Sequence, residues 1–284
     1  MTFLRELKPF EKILLIYFLI LSLIILIFSP PFASEYKYIF VNIFFFTLIL
    51  IAAKLHSSYL NKYTKFIRYW LPIFLFTFIY RETYPLIHII YSGWFDPIFS
   101  KWDITIFGVN LGLWIEQFDH PLLNELFRLG YVSYYAIIVV GSGIHYFRGD
   151  QGDYEKMLSQ VTLAFCISYL MFLLLPTQGP RFYNAPLFST EMNGLFISHI
   201  QKKIIEVAAF PGGAFPSSHI AVVILIWFSF YKKHPITFFV LSVLSILLIL
   251  GTIWGRYHYA IDAIAGILLA MAIYYSTPLI LGKS

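Results

Sequence analysis

Apolar residues in this 284-residue chain gather into long runs separated by short polar breaks. The runs lie at about 12–29, 38–54, 69–91, 130–147, 157–176, 217–231, 236–254 and 258–280. Most approach the roughly 20 apolar residues that an α-helix needs to cross a bilayer. The pattern therefore predicts an all-α polytopic membrane protein with about eight transmembrane helices. The first run follows Arg5, Lys8 and Lys12. It is longer than the ~7–15 residue core of a signal peptide, so a retained span is expected.

Three stretches depart from the pattern. Arg81 and Glu82 interrupt the third run: either they lie at membrane depth, facing protein or water, or the span ends near Tyr80 and they sit in a loop. Residues 92–127 mix Asp96, Asp103, Glu116, Asp119, His120 and Glu125 with Trp94, Trp102 and Trp114. That mixture predicts amphipathic segments at the interface, forming a lid or lipid entry surface. The third stretch, 177–216, is the one long polar loop between spans.

Composition agrees with the pattern. Hydrophobic residues make up 59% and charged residues only 12%, against about 25% charged in a soluble domain, and mean hydropathy is +0.75. The net charge of +5 is spread over loops without a dense Lys/Arg tract, which argues for membrane orientation and not for nucleic-acid binding. With spans alternating, one face carries Arg5, Lys8, Lys12, Lys54, Lys62, Lys65, Arg68, Arg148, Lys156, Lys232, Lys233 and Lys283. The positive-inside rule makes that face cytoplasmic, with both termini. Segment 92–127, loop 177–216 and the turn Trp254-Gly255-Arg256 then share the opposite face, towards periplasm, exterior or lumen. Cys166 is the single cysteine, so no intrachain disulfide exists.

Polar chemistry collects on that outer face. Gly255-Arg256-Tyr257-His258-Tyr259-Ala260-Ile261-Asp262 opens the last apolar run. With a helix starting near Tyr257, Asp262 would sit one turn from His258 and hold one imidazole nitrogen, leaving the other for chemistry. Phe215-Pro216-Ser217-Ser218-His219 opens an earlier run in the same manner. Ser217 and Ser218 are candidate N-caps there. Two histidines, one carboxylate and Arg181 and Arg256 nearby suggest a phosphate-handling site. His88, His145 and His199 lack a partner pattern, and Lys202 and Lys203 read as solvated.

These motifs resemble the type 2 phosphatidic acid phosphatase superfamily of integral membrane lipid phosphatases, whose second motif reads Pro-Ser-Gly-His and whose third ends His-x-x-x-Asp. Pro216-Ser217-Ser218-His219 and His258 through Asp262 match them. The resemblance covers about 69–280, so it implies a six-helix core over 69–284 and leaves two N-terminal helices, 1–68, as an extension. The superfamily's first motif has a lysine seven residues ahead of an Arg-Pro pair. Here Leu174 stands at that offset from Arg181, which follows a proline. Thr252 stands where the third motif has arginine, with Arg256 as the available substitute. These departures resemble the inositol phosphorylceramide synthase branch, which moves phospho-headgroups between lipids and alcohols.

An in-line mechanism fits these residues. His258, oriented by Asp262, attacks phosphorus and His219 protonates the departing alkoxide, after which water or an alcohol attacks the phosphohistidine. The resemblance assigns His258 as nucleophile; the residues alone allow the reverse. Arg181, Arg256, Ser217, Ser218 and the amides opening the 217–231 helix are candidate phosphate ligands. The resemblance implies no metal or cofactor, and a membrane lipid as substrate. Two other classes fit parts of the pattern. One is a metal-dependent hydrolase using His219, His258 and Asp262 as ligands; the other is a transporter, should Arg81-Glu82 lie mid-membrane.

Overall fold

The computed structural model describes residues 6–280. Arg5 and Lys283, counted above in the charge asymmetry, lie outside the described residues. Twelve α-helices are present among those described: α1 (Pro9–Phe28), α2 (Lys37–Ser58), α3 (Lys62–Thr83), α4 (Asp96–Phe107), α5 (Leu111–Trp114), α6 (Pro121–Arg148), α7 (Gln151–Leu174), α8 (Pro180–Tyr183), α9 (Phe196–Ala208), α10 (Ser218–Ser229), α11 (Pro235–Trp254) and α12 (Ala260–Ile280). The described residues contain no strand, only isolated bridges from Thr177 to Gly212 and Gly213. The chain is an integral membrane protein of all-α architecture.

Among the described residues, six segments are long and apolar enough to cross a membrane: α1, residues 34–58 containing α2, α6, α7, α11 and α12 through Thr277. Two of the eight expected spans differ. Helix α3 is long enough but carries Lys62, Lys65, Arg68, Arg81 and Glu82. Arg68 is nevertheless buried, pairing through Nε and Nη2 with both carboxylate oxygens of Glu11 on α1 at 2.7 Å. Arg81 and Glu82 lie in the last turn of α3 and not in a loop. Arg81 is exposed, whereas Glu82 is buried.

Helix α10 is the other departure. It has 12 residues, about 18 Å at 1.5 Å per residue, short of the ~30 Å hydrocarbon core. It packs against α6, α7, α11 and α12, and Ile220 through Ile226 are all buried. This central position explains its continuous apolar sequence: a helix enclosed on every side has no polar face. Because α10 begins late, the loop that carries Ser217 enters the bundle.

Close backbone approach joins α6 to α11. A Cβ at Gly130 of α6 would fall 2.5 Å from the Leu247 backbone of α11, and one at Gly251 of α11 would strike the Phe127 carbonyl. Small residues at a helix crossing permit such packing. Phe40, Ile43 and Phe44 on α2, with Ile236, Phe239 and Val243 on α11, remain exposed, as side chains facing lipid must.

Candidate active site

The turn between α11 and α12 delivers His258. Helix α12 starts only at Ala260, so His258 precedes it and the expected stacking along one helical face does not occur. Asp262 instead reaches back: its Oδ2 accepts the Tyr259 N–H at 2.9 Å and lies 3.4 Å from His258 Nδ1. The Ala214 carbonyl lies 2.9 Å from that same nitrogen. A carbonyl can only accept, so Nδ1 carries the ring proton and Nε2 keeps its lone pair. Burial pushes the His258 imidazole down to about 4, against the pull of the Ala214 carbonyl. At neutral pH the ring is therefore uncharged.

Ser217 occupies the N-cap position of α10, yet its side chain makes no cap bond. Its Oγ lies 3.2 Å from His258 Nε2, while its N–H donates to the Asp262 carbonyl at 3.1 Å. The two motif loops are thereby joined through backbone and side chain. Gly266 makes this possible, since a Cβ there would fall 2.6 Å from the Ser217 carbonyl. Ser218, buried, is the first residue of α10.

His219 projects from the first turn of α10 with its ring 5.7 Å from that of His258. Its Nε2 lies 3.4 Å from the Tyr131 hydroxyl, and Tyr134 packs on it at 4.4 Å. Its Nδ1 is buried with no hydrogen-bond partner among the described residues.

The two arginines differ sharply in what they hold. Arg256 has φ +62, and its guanidinium donates to Gly112 O, Thr190 O and Glu116 Oε1 at 3.1, 2.9 and 2.7 Å. The Phe188 ring lies 3.8 Å away. Arg181, on α8, instead leaves Nη1 without a hydrogen-bond partner, 5.6 Å from the Tyr257 ring being the distance of its guanidinium carbon. Its backbone N–H donates to the Arg256 carbonyl at 2.7 Å. Arg181 lines a cavity of about 490 Å³ together with Arg128, Lys202, Glu191, Glu206 and Tyr257.

Segment 92–127 holds the motif loops through buried carboxylates. Asp96 accepts the Gln178 and Gly179 N–H groups at 2.8 and 2.9 Å and the Tyr259 hydroxyl at 3.0 Å. Asp103 accepts the Ala260 and Ile261 N–H groups at 2.8 and 2.9 Å, satisfying the open amides of α12 from a distant element. Burial raises both carboxyls above the usual range, and these hydrogen bonds pull them back. Burial also acts upward on Glu116, but hydrogen bonds from Ser189 and the charge of Arg256 hold it below its ordinary value. Asn124 accepts the Trp254 indole N–H at 2.8 Å. A signal for the first pair was present in the sequence: Asp96, Phe99 and Asp103 recur on one helical face and are the buried residues of α4.

The family model described as PAP2 superfamily matches residues 102–276. A PA-phosphatase related-family protein of Dictyostelium discoideum is 27% identical over 54% of this chain, which spans 31% of that protein's length. An uncharacterized protein of Methanocaldococcus jannaschii is 23% identical over 67% of this chain and 80% of its own. No solved structure gives a significant match. With the match covering both histidine motifs and more than half of its length, the chain belongs to the PAP2 superfamily.

Proposed function

We propose that this protein is a lipid phosphatase or phospho-headgroup transferase that works through a phosphohistidine on His258. The observation that carries the reading is the fixed tautomer of that ring. Ala214 and Asp262 face Nδ1, so the lone pair on Nε2 faces Ser217 and the space towards His219. On binding, the Ser217 hydroxyl swings from Nε2 to a phosphate oxygen. Nε2 attacks phosphorus, the P–O bond to the lipid breaks, and protonated His219 gives its proton to the departing alkoxide. The substrate's negative charge favours that protonated form. Water or an alcohol then loses a proton to His219 as it attacks, and the P–N bond breaks.

Arg181, with an uncommitted nitrogen, and the first amides of α10 stabilise the equatorial oxygens. Ser218 stands at the same helix start. Arg256 serves the phosphate indirectly, by holding the turn that carries His258. Asp96 and Asp103 are positioning residues for the same loops. The chain's two N-terminal helices act as an extension of the six-helix core. Both termini are cytoplasmic, and the site opens to the non-cytoplasmic face.

Transfer is the second reading, in keeping with an inositol phosphorylceramide synthase-like branch. The cavity of about 490 Å³ beyond Tyr257 exceeds what a phosphate requires. Its mix of Arg128, Lys202, Glu191 and Glu206 suits a polar headgroup or acceptor.

The test is phosphate release by purified protein in detergent with EDTA, from phosphatidate, phosphatidylglycerophosphate and polyprenyl diphosphate. Release that survives chelation and disappears in His258→Ala supports a metal-free phosphatase. Absence of release directs the assay to labelled phosphatidylinositol with ceramide or diacylglycerol. Failure there as well overturns the enzymatic reading, and activity abolished by EDTA overturns the metal-free chemistry.

A further inference from the structure

Three side chains unconnected with this chemistry converge at the other end of the bundle. His145 comes from the last turn of α6, Asp150 from the α6–α7 connection, and His234 from the residue preceding α11. Along α6 their level is about 21 Å from Tyr131 at 1.5 Å per residue. One ligand atom from each residue lies within 4.8 Å of the other two. His145 is 0% exposed. Its Nε2 meets the Ser229 hydroxyl at 2.8 Å, and its Nδ1 is buried without a hydrogen-bond partner among the described residues. His145 thus brings a buried imidazole with one unpartnered nitrogen to a carboxylate and a second imidazole.

We propose that His145, Asp150 and His234 bind a divalent transition metal of the zinc type. Two imidazoles and one carboxylate are a zinc donor set, with water completing a tetrahedron. Closing ligand atoms from 4.8 Å to the spacing set by metal–ligand bonds of about 2.0–2.2 Å requires only small side-chain movements. The ion would tie the α6–α7 connection to the α10–α11 turn, and so fix the far end of the helix whose near end carries His219.

Arg148 competes with the metal. Its Nη1 lies 2.6 Å from His234 Nδ1. A guanidinium only donates, so Nδ1 accepts and Nε2 bears the proton, facing Asp150 Oδ2 at 3.4 Å. Binding at Nε2 moves that proton to Nδ1 and displaces Arg148 into solvent, where its side chain is already exposed. Binding at Nδ1 displaces Arg148 directly. On either course the arginine is a place-holding cation, and removing it strengthens binding.

The experiment uses the full-length protein in detergent, purified on a tag without histidines, stripped with EDTA and dialysed. Co²⁺ is titrated as the spectroscopic probe, followed by displacement with Zn²⁺. The expected result is one ion per chain with tetrahedral cobalt absorption. Affinity should fall by at least about tenfold in Asp150→Asn and in His234→Asn and rise in Arg148→Gln. Monodisperse elution and unchanged helical circular dichroism establish that each variant is folded. Absence of stoichiometric binding overturns the proposal, as does binding that persists unchanged in both ligand variants.

Discussion

The two ends of the bundle place similar residues in opposite electronic states. At the motif end, His258 Nδ1 faces acceptors, the Ala214 carbonyl and the Asp262 carboxylate, so the outward nitrogen is a lone pair. At the far end, His234 Nδ1 faces a donor, Arg148, so the other nitrogen is an N–H. Imidazole and carboxylate alone do not make a nucleophile. The group that occupies the second ring nitrogen decides whether the first can attack, donate or bind metal.

The largest expected effect exploits that contrast. His258→Ala removes the lone pair itself and should lower phosphate release by about 10³-fold or more, the scale seen when a nucleophile is deleted from a cooperating set. His234→Ala, at the far end, should leave release within a few-fold of the unsubstituted protein. Parallel rates for both variants measure this. Equal losses would mean that the two ends differ only in packing.

The two arginines give the next test. Arg256 is buried against Glu116 and three acceptors in all, so Arg256→Met should cost about 3 kcal/mol by breaking a buried pair, read as a lower melting temperature. Arg181 has an open nitrogen. Arg181→Met should leave melting nearly unchanged and raise KM for a phosphorylated lipid by roughly tenfold to a hundredfold, as loss of a charge-assisted contact of about 1.5–3 kcal/mol predicts. The converse pattern would exchange their roles.

The sequence revealed the helices and the histidine motifs because both depend on local order: apolar runs, their polar interruptions, and fixed spacings. It was less informative where partners are distant. Arg256 is two residues from His258 in the chain, and only the folded contacts with Gly112, Thr190 and Glu116 account for its guanidinium. His145 had no partner pattern because Asp150 lies on a connection and His234 across another turn. The shortness of α10 was hidden by the apolar residues that continue beyond it to Tyr231. Asp96 and Asp103 did carry a helical period. Surrounding tryptophans and phenylalanines made that face read as interfacial, although its carboxylates bind the motif loops.

The pH dependence of stability distinguishes a buried neutral ring from an exposed one. His258 falls to about 4 from an ordinary 6.5, so between these values the unfolded chain binds a proton that the folded ring does not. Its contribution is present above pH 6.5 and is lost as pH falls towards 4, on the order of 3 kcal/mol across the window. Unfolding measured over that range should weaken with acid, and His258→Gln should flatten the slope. An unchanged slope in the variant would show that the ring is solvated.

The smallest effect tests whether segment 92–127 positions the site or merely covers it. Asp103 accepts two amides that open α12, and its removal resembles loss of a helix cap, about 0.5–2 kcal/mol. Asp103→Ala should therefore lower the melting temperature modestly. Because His258 sits two residues ahead of Ala260, the same variant should lower kcat more than it raises KM. Asp103→Asn keeps one acceptor oxygen and should recover part of both losses. A cover without a positioning role predicts a change in KM or lipid preference with kcat intact, and Asn would then give no rescue of turnover.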